Sequence, residues 1–228
     1  MKKGLVMEGG QPGRVIRYNA AYCNKPQYAG LRTFLKTGDM FGEQFCYHDI
    51  PEHLDPFDYE AYRKNPMDFY VVVTDAKTGK ALYKKVDRCD KTEMEWMRAS
   101  ASMPIVSKPV CVDGYELLDG GVADSIPVQK MQELGFDKTV VVLTRDYVKK
   151  KNQLMPLAKV SLRRYPAMID AMEHRHEHYN EELEYIREKE ERGELFVIRP
   201  PKKIEVSKVE RDRQRLLAAY RMGRETMK

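Results

Sequence analysis

The stretch Tyr115-Glu-Leu-Leu-Asp-Gly-Gly-Val-Ala-Asp-Ser-Ile-Pro-Val128 constrains this chain more than any other. It reads as a short apolar strand that stops on a carboxylate, Asp119. Gly120 and Gly121 follow at once, and Ser125-Ile126-Pro127 opens a helix. An acid at the end of a buried strand, beside a turn that favours glycine, is a common way to aim one carboxylate into a cleft. The same acid can serve only to cap its turn, and spacing alone does not separate the two roles.

A chain of 228 residues with 42% hydrophobic and 33% charged side chains has room for one sizeable α/β domain, or one domain with an appended subdomain. Net charge is +5, from 40 basic and 35 acidic residues. That balance is too mild to argue for nucleic acid, and no basic stripe is interleaved with aromatics. It suits weak attraction to an anionic membrane surface, which would be peripheral contact. Cys23, Cys46, Cys89 and Cys111 stand far apart with no CxxC pair, which argues against a zinc site and a disulfide framework. The apolar run in Met1-Lys-Lys-Gly-Leu-Val-Met7 is too short for a signal peptide, and no segment approaches the ~18 apolar residues of a spanning helix. The expectation is a reduced, cytoplasmic protein with no metal and no cofactor.

Gly4-Leu-Val-Met7 has the composition of a buried strand, and Glu8-Gly9-Gly10 follows it. A strand feeding a glycine turn can place backbone N–H groups around an anion or a developing oxyanion. An amphipathic helix is predicted through Val15, Ile16, Tyr18 and Tyr22, and residues 31–57 read as an irregular cover over the sheet. Phe69–Thr74 is predicted as a central strand, with Ala81–Val86 as its antiparallel partner. Thr92–Ala101 reads as a helix, Val110–Leu118 as a tight hairpin, and Pro127–Leu134 as a helix stopped by Gly135. Thr139–Thr144 is predicted as a second central strand. From Leu154 the pattern is helical up to Gly193, then Leu195–Ile198 is a strand and Arg211–Met222 a terminal helix. Residues 1–150 are expected to form an α/β core, with 151–228 a mainly helical part packed on the same domain.

Other groupings carry less. His174 and His178, in His174-Arg-His-Glu-His178, share a helix face at metal-compatible spacing, but the run is not HExxH and no third ligand is evident. His48 and His53 lie in the irregular cover, which gives a Ser-His-Asp triad no support. Ser100 and Ser102 precede a proline break and read as packing and turn residues. No GxSxG occurs anywhere, although a strand-turn-helix hydrolase usually shows that nucleophile elbow.

Several stretches together resemble the patatin-like phospholipase family, in its bacterial cytoplasmic branch. They are Gly4–Gly10, Leu31–Gly38, Ala99–Ser107, Leu118–Val128, Val140–Arg145 and Phe196–Pro200 with the helix after it. The resemblance implies a three-layer α/β fold, with a mixed, mostly parallel central sheet flanked by helices and a helical C-terminal extension. It also implies an acyl-ester hydrolase, phospholipase A or lysophospholipase-like, acting on lipid or other acyl esters through a Ser-Asp dyad without histidine or cofactor. Asp119 would be the dyad base, Gly120 and Gly121 would support it, and N–H groups near Gly9 and Gly10 would hold the oxyanion. One part is absent: the family's crossover helix, second strand and serine elbow have no counterpart between Gly10 and Gln11. Either the native polypeptide carries a stretch missing from this sequence, or the stretch has been deleted. The intact family-like flanks favour the first, since deleting a central strand would expose unpaired neighbours. The alternative function is a patatin-like binding or regulatory protein without a nucleophile. Oligomeric state is not legible.

Overall fold

The computed structural model describes residues 11–136, 138–149, 151, 156–207 and 209–227. Six strands occur among them: β1 (Tyr70–Asp75), β2 (Ala81–Lys85), β3 (Val110–Val112), β4 (Tyr115–Asp119), β5 (Thr139–Val142) and β6 (Leu195–Ile198). The helices are α1 (Arg14–Tyr22), α2 (Leu31–Thr37), α3 (Tyr59–Lys64), α4 (Lys91–Ser100), α5 (Val128–Glu133), α6 (Pro156–Ser161), α7 (Pro166–Glu191) and α8 (Arg213–Thr226). The α/β class and the helical C-terminal part stand as expected. The strand expected at Gly4–Met7 and the residues Gly9 and Gly10 lie outside the described residues.

Strands β1 to β4 form one antiparallel sheet in the order β2-β1-β4-β3. The β-branched run of β1 belongs at its centre, where Val71, Val73 and Thr74 are buried. At the β1–β2 turn the Asp75 carboxylate accepts from the Lys77 N–H at 3.1 Å and the Thr78 hydroxyl at 2.9 Å. The β3–β4 hairpin turns on Asp113 and Gly114, with φ of 50° and 82°, the left-handed pair that matches strand twist in a two-residue turn.

Each face of this sheet is covered. Helix α4 starts on Asp90, whose side chain accepts from the Glu93 N–H. It packs Trp96 and Ala99 on Val71, Val73, Val110 and Leu117, and Tyr62 of α3 joins the same cluster. Leu118 points the other way, into a cluster with Ala76, Val122, Leu162 and Met168 at the start of α7. Further along α7, Tyr179, Leu183 and Ile186 pack on Val141 of β5 and Leu195 of β6. The C-terminal α8 packs against α1, and just ahead of it Arg211 donates to the Ala29 carbonyl at 2.8 Å.

Two expectations change in detail. Residues 31–57 are largely helical rather than irregular: α2 is followed by a ten-residue π-helical segment, Phe45–Leu54. Its wider coil, seen in the Asp55 N–H bond to the Ile50 carbonyl at 2.8 Å, removes the 3.6-residue period that would reveal a helix. Parallel pairing among the described residues is confined to β5 and β6. Thr139–Thr144, expected as a central strand, therefore has one partner there, and Val140 and Val142 on β5 are 58% and 63% exposed.

Leu118 is fully buried. Leu118→Ala is expected to cost about 2–5 kcal/mol of unfolding free energy by urea titration, because a packed site collapses only partly. Leu35→Ala, on α2 and 77% exposed, should change stability by less than about 0.5 kcal/mol.

Candidate active site

Asp119 ends β4 where two bonds fix its backbone and a third fixes its carboxylate. Its N–H donates to the Ser102 carbonyl at 2.9 Å, and its own carbonyl accepts the Thr74 hydroxyl at 2.9 Å. Its carboxylate Oδ1 accepts the Gly121 N–H at 2.7 Å, capping the 3₁₀ turn Gly120–Val122. Capping is thus part of what Asp119 does. The side chain is half-buried.

Gly120 is required by close approach rather than by a left-handed backbone. A Cβ there would stand 2.2 Å from the Val72 carbonyl oxygen and 2.9 Å from Val72 Cβ. Thr74, buried on β1, donates to Asp119 and accepts the Ala123 N–H at 3.3 Å, bridging the two ends of the turn. Gly121 is looser: its Cβ would meet Asp119 Oδ1 at 3.1 Å and Arg175 Nη2 at 3.4 Å, both side-chain ends. The Gly121 carbonyl accepts two donors, the Ser125 hydroxyl at 2.8 Å and the Arg175 Nε–H. Arg175 comes from α7, so that helix reaches the turn directly.

A second α7 side chain, Glu182, supports the next step of the loop. Its Oε1 accepts the Ser125 N–H at 3.1 Å. Burial pushes the Glu182 carboxyl up to about 8, and the neighbouring Asp124 charge and a hydrogen bond with it push the same way. Oε2 is buried without a donor. Tyr83 closes the group, its hydroxyl donating to Asp124 Oδ2 at 2.5 Å.

The nearby serines are spent on structure. Ser102 Oγ donates to the Arg98 carbonyl and Ser125 Oγ to that of Gly121, each at 2.8 Å. His48 and His53 belong to the π-helical segment, 3.6 and 3.9 Å from the Glu52 carboxylate. His174 and His178 sit on the exposed side of α7, within 3.4 Å of Asp170 and 3.5 Å of Glu181 respectively. Among the described residues Glu43, His48 and Glu95 bring ligand atoms within 4.8 Å of one another. Arg98 already pairs with both of those carboxylates, at 3.4 and 2.5 Å. Thr74, Arg175 and Glu182 escape sequence reasoning; only Arg175 had a visible setting, between the two histidines of α7.

Two measurements probe this arrangement. Gly120→Ala should destabilise by about 1–3 kcal/mol in urea titration because backbone must move, whereas Gly121→Ala should stay within about 1 kcal/mol. Glu182 has its pKa raised on folding, so its contribution to stability is full below about 4.5 and is lost progressively as pH rises to about 8. The slope can reach about 1.4 kcal/mol per pH unit for one proton, reduced by the partial solvent contact of the side chain. Glu182→Gln should flatten stability over that window.

Comparison with known proteins divides the chain. A family described as a domain of unknown function (DUF6363) matches residues 165–228, the segment that holds α7, β6 and α8. A search of curated proteins returns no match. The model of the Patatin-like phospholipase family matches residues 16–131, which include α4, the β1–β4 sheet and the Asp119 turn. That range is half of the chain, and the chain belongs to the patatin-like phospholipase family.

Proposed function

We propose that this chain carries the base of a serine acyl-ester hydrolase, a phospholipase A or lysophospholipase-like lipid esterase. Asp119 is the base of a Ser-Asp dyad, and the serine lies on a GxSxG stretch that the 228 residues lack. The observation that carries the reading is the setting of Asp119. The carboxylate is held at a strand end by its own turn, with Gly120 locked against Val72 and Gly121 tied to α7. In the reaction, serine Oγ attacks the ester carbonyl carbon while its proton passes to Asp119. The alcohol leaves with that proton, and water attacking the acyl-serine releases the acid and restores the serine. N–H groups at Gly9 and Gly10 would receive the oxyanion charge.

The β5–β6 pair supports the missing stretch. Parallel strands are normally covered on both faces, yet Val140, Val142 and Phe196 are 58%, 63% and 66% exposed. A further strand and crossover helix would give that surface partners. The second reading, a binding or regulatory protein, draws on the local serines, since the Ser102 and Ser125 hydroxyl protons are already given to backbone carbonyls. Among the described residues no helix is long and apolar enough to cross a membrane.

Intact mass and fluorophosphonate labelling of the native polypeptide separate the readings. The hydrolase reading expects a mass several kDa above that of the 228 residues, one labelled serine, and a loss of roughly 10²–10⁴ in kcat for Asp119→Asn. A mass equal to 228 residues, no label and no ester turnover would establish the second reading instead.

A further inference from the structure

Three sulfur atoms converge where the loop after β2 meets α4. Cys89 is buried, and its Sγ lies 3.4 Å from Met94 Sδ and 4.0 Å from Met97 Sδ. Metal–sulfur bonds of about 2.3 Å set three sulfurs about 4 Å apart around a trigonal ion, so small side-chain shifts would admit one. Met94 and Met97 stand three apart on α4 and share a face, and their unbranched thioethers adapt to such shifts. The thiol is held against them from its own side. Glu93 of α4 accepts the N–H groups of Asp87, Arg88 and Cys89 at 3.0, 2.8 and 2.5 Å, which clamps the loop to the helix.

The cluster is not sealed inside the core. Cys89, Met94 and Met97 all line a partly open cavity of about 290 Å³ between the π-helical segment, α1 and α4, which gives an ion a way in. Cys46 lines the same space, but its thiol donates to the Tyr28 carbonyl at 3.4 Å. Charge decides the kind of ion. Burial first, then Glu93 and Asp90, push the Cys89 thiol up to about 11, with Arg14 and Arg63 acting the other way. The thiol is therefore protonated near neutrality and gains its one negative charge only when a metal displaces the proton. A monovalent ion on that thiolate is neutral as a pair, and the thioethers add no charge. A divalent ion would leave a buried positive charge with no second anion among the three donors. Zinc also takes thiolate, imidazole or carboxylate ligands, usually four, whereas soft thiolate and thioether donors together suit copper(I).

We infer that Cys89, Met94 and Met97 form a binding site for a soft monovalent metal ion, copper(I), through one thiolate and two thioethers. Binding is a balanced exchange: the Cys89 S–H bond breaks, a sulfur–copper bond forms, and the proton leaves to water with no change of oxidation state. The site does not depend on the hydrolase reading. If the three sulfurs only filled space, leucine would serve equally at both helix positions, since Met and Leu are close in volume. Copper(I) separates the two cases, because leucine offers it no donor.

The test is anaerobic titration of the 228-residue chain with copper(I) against a competing copper(I) chelator, with Cys111→Ser removing the exposed thiol. One ion should bind per chain, release one proton near neutral pH, and show three sulfur neighbours at about 2.3 Å by copper X-ray absorption. Met94→Leu and Met97→Leu should each weaken binding at least about tenfold, with the thermal midpoint of the metal-free chain held within a few degrees. Cys89→Ala should abolish binding; if that variant fails to fold, the two leucine variants decide alone. Zinc should bind at least about tenfold more weakly than copper(I). No saturable binding, nitrogen or oxygen neighbours in place of the sulfurs, zinc binding tighter than copper(I), or unchanged affinity in the double variant Met94→Leu/Met97→Leu would each overturn the proposal.

Discussion

The arrangement around Asp119 depends on how closely β4 and its turn press against β1. Gly120 sits where the Val72 carbonyl leaves no room for a Cβ, and Thr74 spends its hydroxyl on both ends of the turn. A buried hydroxyl without partners would be costly, so the Thr74 position is only stable with the turn folded over it. The register Val73↔Asp119 then follows, and the acid leaves the sheet at a fixed point. A slip of one residue would turn Leu118 out of the α7-side cluster and place Asp119 in it.

The turn is held from a second side by α7. Arg175 and Ser125 share the Gly121 carbonyl, and Glu182 receives the Ser125 N–H. These helical residues fall in the range matched by the family of unknown function, whereas the turn falls in the range matched by the patatin-like family. The C-terminal part is therefore more than a neighbour of the core, since it supplies a cation and a carboxyl to the loop that carries Asp119. Glu182 adds pH-dependent behaviour, because burial first and the neighbouring Asp124 second hold its carboxyl pKa above the usual range.

Much of this was legible where the signal is local. The β1 run, the Asp113-Gly114 hairpin, the glycine stops at Gly135 and Gly193, and the strand ending on Asp119 follow from side-chain period and turn chemistry. The π-helical segment was not legible, because its bonding period is one that pattern reading does not look for. Thr74, Arg175 and Glu182 were not legible either. Their partners are 45, 54 and 57 residues away along the chain, and nothing local marks an ordinary Thr, Arg or Glu for such a bond. The His-Arg-His-Glu-His run drew notice for its histidines as possible ligands, yet the residue that reaches the loop is the arginine between them.

The same reasoning bears on β5 and β6. An isolated pair of strands is marginal in water and needs more sheet or a helix against it. Here one face has its helix, through Leu183 and Ile186 of α7, and the other presents Val140, Val142 and Phe196 to solvent. Single exposed apolar residues need no explanation, but three on one face of one short parallel pair form a patch. A sequence under no pressure to cover that face would tolerate polar residues at alternate positions, as half-exposed strands do. The valines and phenylalanine are those of a strand pair buried on both sides. Under the proposed function, a crossover helix from a stretch between Gly10 and Gln11 would cover that face, as parallel strands normally require.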